Sequence, residues 1–343
     1  MKNLLCSLLA FVMLSLLPVQ AETRKDTLLL RDDHPQEYVV VKGDTLWHIS
    51  GRFLKSPWKW PEVWGVNPQV DNPHLIYPGD IIYLTWVDGK PRLGVKRDSS
   101  IYPKARVSPL EQAIHAIPLR DIISFLNDNR VLSEDLLKKA PYVLGGQSER
   151  IIAGAGDRIY ARGTLLEDQR RQGIYRAASE YKDPDTEEFL GYEMLKIADA
   201  DVVAHSKDEI VTLDVVKSHK EVRILDRVVP TEEVRIQSVF YPKASPEGVE
   251  GKVLSVLSGV RDAGQFNVVA LNRGMREGLE AGHVFAIYRK GELIKDPVTN
   301  EMLNLPPERS GELMVFKVFE KVSYGLIMQS TNVVSIGDEL REP

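Results

Sequence analysis

The sequence predicts a multidomain protein of the α+β class, mainly β: one small strand–helix–helix–strand module, a helical connector, and two similar β-rich repeats, each a barrel or a sandwich. Three observations predict it. Residues 37–86 carry a strand pattern, two short helical patterns and a closing strand, in that order. From Pro141 onward the chain repeats itself at nearly constant spacing. The repeated part consists of short β-branched and aromatic runs cut by Gly, Pro and Asp turns.

Residues 1–21 read as an export signal and are set apart from the fold. Lys2 is the charged end, Leu4 to Leu17 the apolar run, and Val19-Gln20-Ala21 the small-residue cleavage site. Pro18 and the cleavage pattern argue against a spanning helix. Cys6 stands at the start of the apolar run rather than its end, which argues against lipoprotein processing. With 1 cysteine in the chain, a mature protein starting near Glu22 holds none. Such a protein has no disulfide staple and no cysteine nucleophile. A net charge of −5 makes no electrostatic case for nucleic acid. No later run approaches the ~18 apolar residues a membrane span requires.

In residues 37–86, Tyr38 and Val40 alternate with Val39 and Val41 as in a half-buried strand. Gly43 breaks the strand, and Asp44 or Thr45 caps the helix that follows. Leu46, Ile49 and Phe53 form that helix's apolar face. Pro61 opens a second short helix, Asn67-Pro68 closes it, and Pro78-Gly79 is a tight turn. The closing strand turns Ile82 and Leu84 inward. This order and spacing resembles the LysM module, which binds glycans containing N-acetylglucosamine, such as peptidoglycan. The resemblance implies a groove between two loops, with Gly43, Asp44, Thr45 and Leu46 on one side and Leu75, Ile76 and Tyr77 on the other. Between the helices lies Pro57-Trp58-Lys59-Trp60-Pro61-Glu62-Val63-Trp64, richer in tryptophan than the ordinary module. Trp60 and Trp64 are read as core fillers. Trp58, beside Lys59, is read as an exposed aromatic that extends the glycan groove or meets a protein partner.

Residues 87–108 read as a linker, holding Pro91 and Pro103 and locally basic through Lys90, Arg92, Lys96, Arg97, Lys104 and Arg106. It is either a solvated spacer or a tether drawn to anionic polymers. Residues 109–140 read as a helical connector. Ile122, Phe125 and Leu126 line one face, and Ser133 caps a turn through Leu136 and Leu137.

Residues 141–230 and 251–343 are two copies of one unit, joined through 231–250. Tyr175-Arg176, Lys182-Asp183-Pro184, Thr186 and Glu188 recur as Tyr288-Arg289, Lys295-Asp296-Pro297, Thr299 and Glu301, at an offset of 113 residues. Arg162-Gly163 recurs as Arg273-Gly274 at 111, and Ser218, Val222, Ile224 and Asp226 as Ser330, Val334, Ile336 and Asp338 at 112. The shared Lys-Asp-Pro-x-Thr is a turn signature, serving as a hairpin tip or as a partner-binding loop.

No enzyme signature emerges, and no cofactor is implied. The 7 histidines form no His-x-His or His-Glu-x-x-His pair, so no metal site is predicted. No Gly-x-Ser-x-Gly elbow or phosphate-cradling loop is present. The order of signal, one LysM module and a duplicated β-rich region resembles the type IV pilus secretin-associated proteins of Gram-negative bacteria. Their carboxyl-terminal region is similar to the last domain of a flagellar outer-ring protein. That resemblance implies a periplasmic, non-catalytic protein that ties the outer-membrane secretin to peptidoglycan. It also allows a homo-oligomer arranged around a ring. The competing readings are a regulator or recruiter of wall hydrolases and, behind it, a LysM-targeted wall-remodelling enzyme.

Overall fold

The computed structural model describes residues 28–64, 76–96, 129–206, 208–231, 240–257, 262–291 and 293–343. Residues 1–21, read as an export signal, Asn67-Pro68, Leu75 and the residues read as one helical face, Ile122, Phe125 and Leu126, lie outside the described residues.

The amino-terminal module is a three-stranded antiparallel sheet that shares one core with its helices. Its elements are β1 (Glu37–Val39), α1 (Leu46–Phe53), a 3-10 turn (Pro57–Lys59) running into α2 (Trp60–Trp64), β2 (Ile81–Val87) and β3 (Lys90–Lys96). Helix α1 buries Leu46, Trp47, Ile49 and Phe53, the face its spacing dictates. Strand β3 was not foreseen, since 87–108 was read as a linker. The chain reverses through Asp88 and Gly89, both at positive φ (50° and 72°), as a two-residue hairpin requires. Leu93 and Val95 then enter the core. Proline did not prevent this, because β3 is an edge strand, where a missing N–H costs no ladder bond.

The segment read as a helical connector ends differently. Asn129–Leu132 form strand β4, paired antiparallel with residues of β9 (Phe189–His205), and among the described residues of this segment Glu134–Lys139 are helical (α3). Ser133 caps that helix, its hydroxyl accepting from the Leu136 N–H at 3.3 Å.

The repeats are closed barrels. In the first, β5 (Tyr142–Gly146), β7 (Arg158–Arg162), β8 (Arg171–Lys182), β9 (Phe189–His205), β10 (Ile210–Ser218) and β12 (Arg227–Pro230) run in the circular order β10-β7-β5-β12-β8-β9 and back to β10. In the second, β14 (Gly251–Val256), β16 (Val268–Leu271), β17 (His283–Arg289), β20 (Glu308–Val318), β21 (Ser323–Ser330) and β23 (Glu339–Arg341) run β21-β16-β14-β23-β17-β20 and back to β21. Matched by the repeat offsets, the two orders are identical. The small ladders match too: β6 (Ile152–Ala153) with β11 (Val222–Arg223), and β15 (Asp262–Ala263) with β22 (Val334–Ser335). The second barrel gains a parallel strand, β13 (Lys243–Ala244), from the stretch read as a connection.

Inward residues fill each barrel: Ile159, Ile174, Val215, Val222 and Val228 in the first, Val269, Ile287, Ile327, Val334 and Leu340 in the second. The recurring Tyr-Arg and Asp also have a structural reason. Arg176 grips Asp226, whose side chain is 3% exposed, through two bonds of 2.8 Å, and Arg289 faces Asp338 in the second barrel.

The barrels differ outside. On the second, outward residues including Val268, Ala270, Val284, Met314, Tyr324 and Leu326 are buried too, in one core continuous with that of the amino-terminal module. The His48 ring meets Phe266 edge-on at 5.6 Å, and Trp60 meets Tyr241 at 5.7 Å. Tyr181 and Leu190, from the long β8–β9 hairpin of the first barrel, belong to the same core.

The tip of that hairpin docks on the second barrel. Asp183 accepts from the Asn272 amide at 2.8 Å and lies 3.4 Å from Arg273. Glu188 binds Arg276 (2.7 and 3.0 Å) and Lys321 (2.7 Å), and Asp185 pairs with Lys252. Lys-Asp-Pro-x-Thr is thus a hairpin tip and a contact surface at once. Asp183 folds the tip with one oxygen, which accepts from the N–H groups of Asp185 and Thr186, and meets the second barrel with the other.

Candidate glycan-binding site

Two loops of the amino-terminal module form the candidate site. After β1 the chain turns at Gly43, whose φ of +97° disfavours a side chain even though a Cβ there would meet nothing within 4 Å. Asp44 fastens the turn, one carboxylate oxygen accepting from the Val41 N–H and the Tyr38 hydroxyl, both at 2.9 Å. The cap is Thr45, whose hydroxyl accepts from the His48 N–H at 3.2 Å. Of the two caps the sequence allowed, Thr45 holds the helix and Asp44 holds the loop.

The second loop turns at Pro78-Gly79, with Gly79 at φ +95°. Asp80 accepts from the Tyr77 N–H at 3.0 Å. Backbone bonds tie the loops together: Gly79 N–H to Val40 C=O at 2.8 Å and Val40 N–H to Asp80 C=O at 2.9 Å. The two walls are therefore one rigid unit.

Within it, Gly43 is exposed, Asp44 and Tyr77 are half-buried, and Thr45 is 4% exposed. The side chains of Leu46 and Ile76, at 1% and 0%, lie in the core, so only their backbone can serve a ligand. Leu75 is outside the described residues. Trp58 is not an exposed aromatic. At 6% exposure it packs in the module's core, with the Lys59 ammonium 5.2 Å from its ring centre. A small module needs this bulk inside.

Sequence reading missed two groups. Tyr38 lies under the Arg52 guanidinium at 4.4 Å, and burial, then its bond to Asp44, raise its hydroxyl pKa. Tyr38 and Arg52 border the Gly43 loop, and the strand alternation marked Tyr38 only as half-buried. Trp86, 60% exposed, is not part of the site: it pairs with Pro91 at the hairpin end of β2, whereas Tyr38 pairs with Ile82 at the end next to the two loops. The site is thus rigid backbone with polar and aromatic edges, suited to holding an uncharged, hydroxyl-rich ligand by hydrogen bonds and ring contact.

The family model of the LysM domain matches residues 38–85. Residues 38–85 are a LysM domain. Over 55 residues the chain is 38% identical to the uncharacterized protein YqbP of Bacillus subtilis (strain 168), a stretch covering 13% of this chain and 25% of that protein. The chain thus matches only a quarter of that relative's length. LysM domains generally bind peptidoglycan or chitin, and such a domain implies association with a cell wall outside the cytoplasm. Among the described residues no helix is long and apolar enough to cross a membrane.

Proposed function

We propose that the protein is a non-catalytic periplasmic scaffold that grips peptidoglycan through its LysM domain and anchors the outer-membrane secretin of the type IV pilus through its barrels. The observation that carries the glycan half is the pair of tied loops, with Gly43, Asp44 and Tyr77 at the surface of a matched LysM domain. The secretin half rests on the order of parts, a LysM domain ahead of duplicated barrels, which resembles the secretin-associated proteins. Several copies around one ring bind multivalently, so a weak single glycan site suffices.

Co-sedimentation of the full chain with purified peptidoglycan tests the first half. Asp44→Ala removes two bonds to a charged acceptor, and the expected loss of affinity is about tenfold with unchanged circular dichroism. Unchanged sedimentation of that variant removes these loops as the site. Crosslinking in piliated cells followed by mass spectrometry tests the second half. Recovery of the secretin is expected, whereas recovery of wall hydrolases without it favours the recruiter reading.

A further inference from the structure

The chain contains the same hairpin twice, and among the described residues only the first is docked. In the first barrel, β8 and β9 run on into the tip, and Tyr181 and Leu190 near it are 3% and 5% exposed, buried against the second barrel. In the second barrel the matching strands stop short. The hairpin continues as a separate ribbon, β18 (Leu293–Lys295) and β19 (Met302–Asn304). Its tip has the same internal bonds: Asp296 accepts from the N–H groups of Val298 (2.7 Å) and Thr299 (3.3 Å). Ile294 and Leu303, at the positions of Tyr181 and Leu190, are 41% and 45% exposed, and Val298 at the tip is 86% exposed.

The receiving surface is also present twice. On the second barrel it comprises Lys252 and Leu254 on β14, Asn272 and Arg273 at the end of β16, then Arg276 and Lys321. Matched by strand pairing, the same places on the first barrel hold Tyr142, Leu144 and Arg162, with Glu209 at the place of Lys321 and Leu165, which packs on the barrel's inner core, at that of Arg276. Leu144 is 41% exposed, and Gly163, Leu165, Glu209 and Ile210 line an open cleft of about 400 Å³ on the same barrel.

We propose that the Leu293–Asn304 hairpin of one molecule docks on this face of the first barrel of a second copy, joining molecules head to tail. The residue exchanges favour a second copy as the occupant. The internal ion pair Asp185–Lys252 becomes Val298 opposite the Tyr142 ring, which also holds the Arg227 guanidinium at 5.5 Å. Asp183, held by Asn272 and Arg273, becomes Asp296 opposite the exposed Arg162. The third contact opposes: Glu188, held by Arg276 and Lys321, becomes Glu301 opposite Leu165 and Glu209. Two carboxylates facing each other keep the join weak at neutral pH, so it forms at high local concentration. A contact of this kind is heterologous: it closes a ring where the rotation between copies closes and runs on as an open filament where it does not. The join is independent of what the LysM domain or the barrels otherwise bind.

Sedimentation velocity of the full chain over a concentration series is the test. The wild type is expected to self-associate weakly. Glu209→Lys, which removes the repulsion, is expected to tighten association about tenfold, and Val298→Asp to weaken it about tenfold. Adding Tyr142→Lys to Val298→Asp recreates the internal Asp185–Lys252 pair across molecules and is expected to restore association. Wild type and Glu209→Lys that both stay monomeric at the highest soluble concentration overturn the proposal. So does association that Val298→Asp leaves unchanged.

Discussion

Gly43 and Gly154 show how one residue type carries two different constraints. A Cβ would meet nothing within 4 Å at either position, but only Gly43 sits at positive φ, +97°. Alanine at Gly154 therefore costs no contact and removes freedom from the unfolded chain. It is expected to be neutral or to stabilise by up to ~1 kcal/mol. Alanine at Gly43 must hold a left-handed backbone, and the expected loss exceeds ~1 kcal/mol. Denaturant midpoints of the two variants check the contrast, and equal shifts would mean that backbone conformation does not govern the Gly43 turn. The same scale shows what single residues reveal in sequence. The turn, the cap and the apolar face Leu46, Ile49 and Phe53 were legible because each is a local constraint. The burial of Trp58 was not, because it depends on how α1 and the 3-10 turn pack together, and a tryptophan beside a lysine fits a surface and a core alike.

At the scale of elements, the β8–β9 hairpin joins the barrels through carboxylates. Burial alone would raise the Asp183 pKa, but the N–H groups of Asp185 and Thr186, the Asn272 amide and Arg273 outweigh it and hold it at about 2. Arg276, then Lys321, hold Glu188 at about 2 as well. Both values are depressed relative to an unfolded chain. Their stabilisation is therefore present in full above the ordinary carboxylate range, near pH 4.5, and is lost as pH falls toward 2. The half-exposed Glu188 contributes less than its shift suggests, because solvent screens it. Hydrogen exchange across residues 182–189, measured between pH 5 and 2 and corrected for intrinsic rates, is expected to show lost protection at the acid end. Protection that persists at pH 2 would show that Tyr181 and Leu190 alone hold the dock. The repeat and its turn signature were legible as sequence, since matched spacing survives without any three-dimensional information. The extra strands were less so. β3 was hidden by Pro91 and by Lys90 and Lys96, which face solvent, and β4 by a stretch that pairs only with distant β9. The strands of the first barrel are also longer than their apolar cores suggested, because charged residues at their ends pair across the sheet, as Arg171 does with Asp201.

Across the whole molecule, the second barrel is the hub. Its strands β16, β17, β20 and β21 carry runs of buried residues instead of the alternation of β10, because both of their faces are covered. One cover is the hairpin of the first barrel; the other is the LysM domain, through His48 on Phe266 and Trp60 on Tyr241. A LysM domain is usually read from sequence as an independent bead on a linker. Here its core continues into the barrel, so the two are expected to unfold as one unit. The chain supplies its own reporter, because all 5 tryptophans lie between Trp47 and Trp86 and the barrels have none. Phe266→Ala and Tyr241→Ala remove one ring from each aromatic contact, each worth about 0.5–1.5 kcal/mol beyond its buried area. Both substitutions lie outside the LysM domain, yet both are expected to lower the denaturant midpoint followed by tryptophan fluorescence, in step with far-ultraviolet circular dichroism. A tryptophan transition that stays at the wild-type midpoint while the dichroism shifts would show that the LysM domain moves free of the barrel. In that case a pull on the wall would not pass directly into the barrels. If the two signals move together, load on the glycan reaches the second barrel through a packed core, and from there the first barrel through the Asp183 and Glu188 contacts.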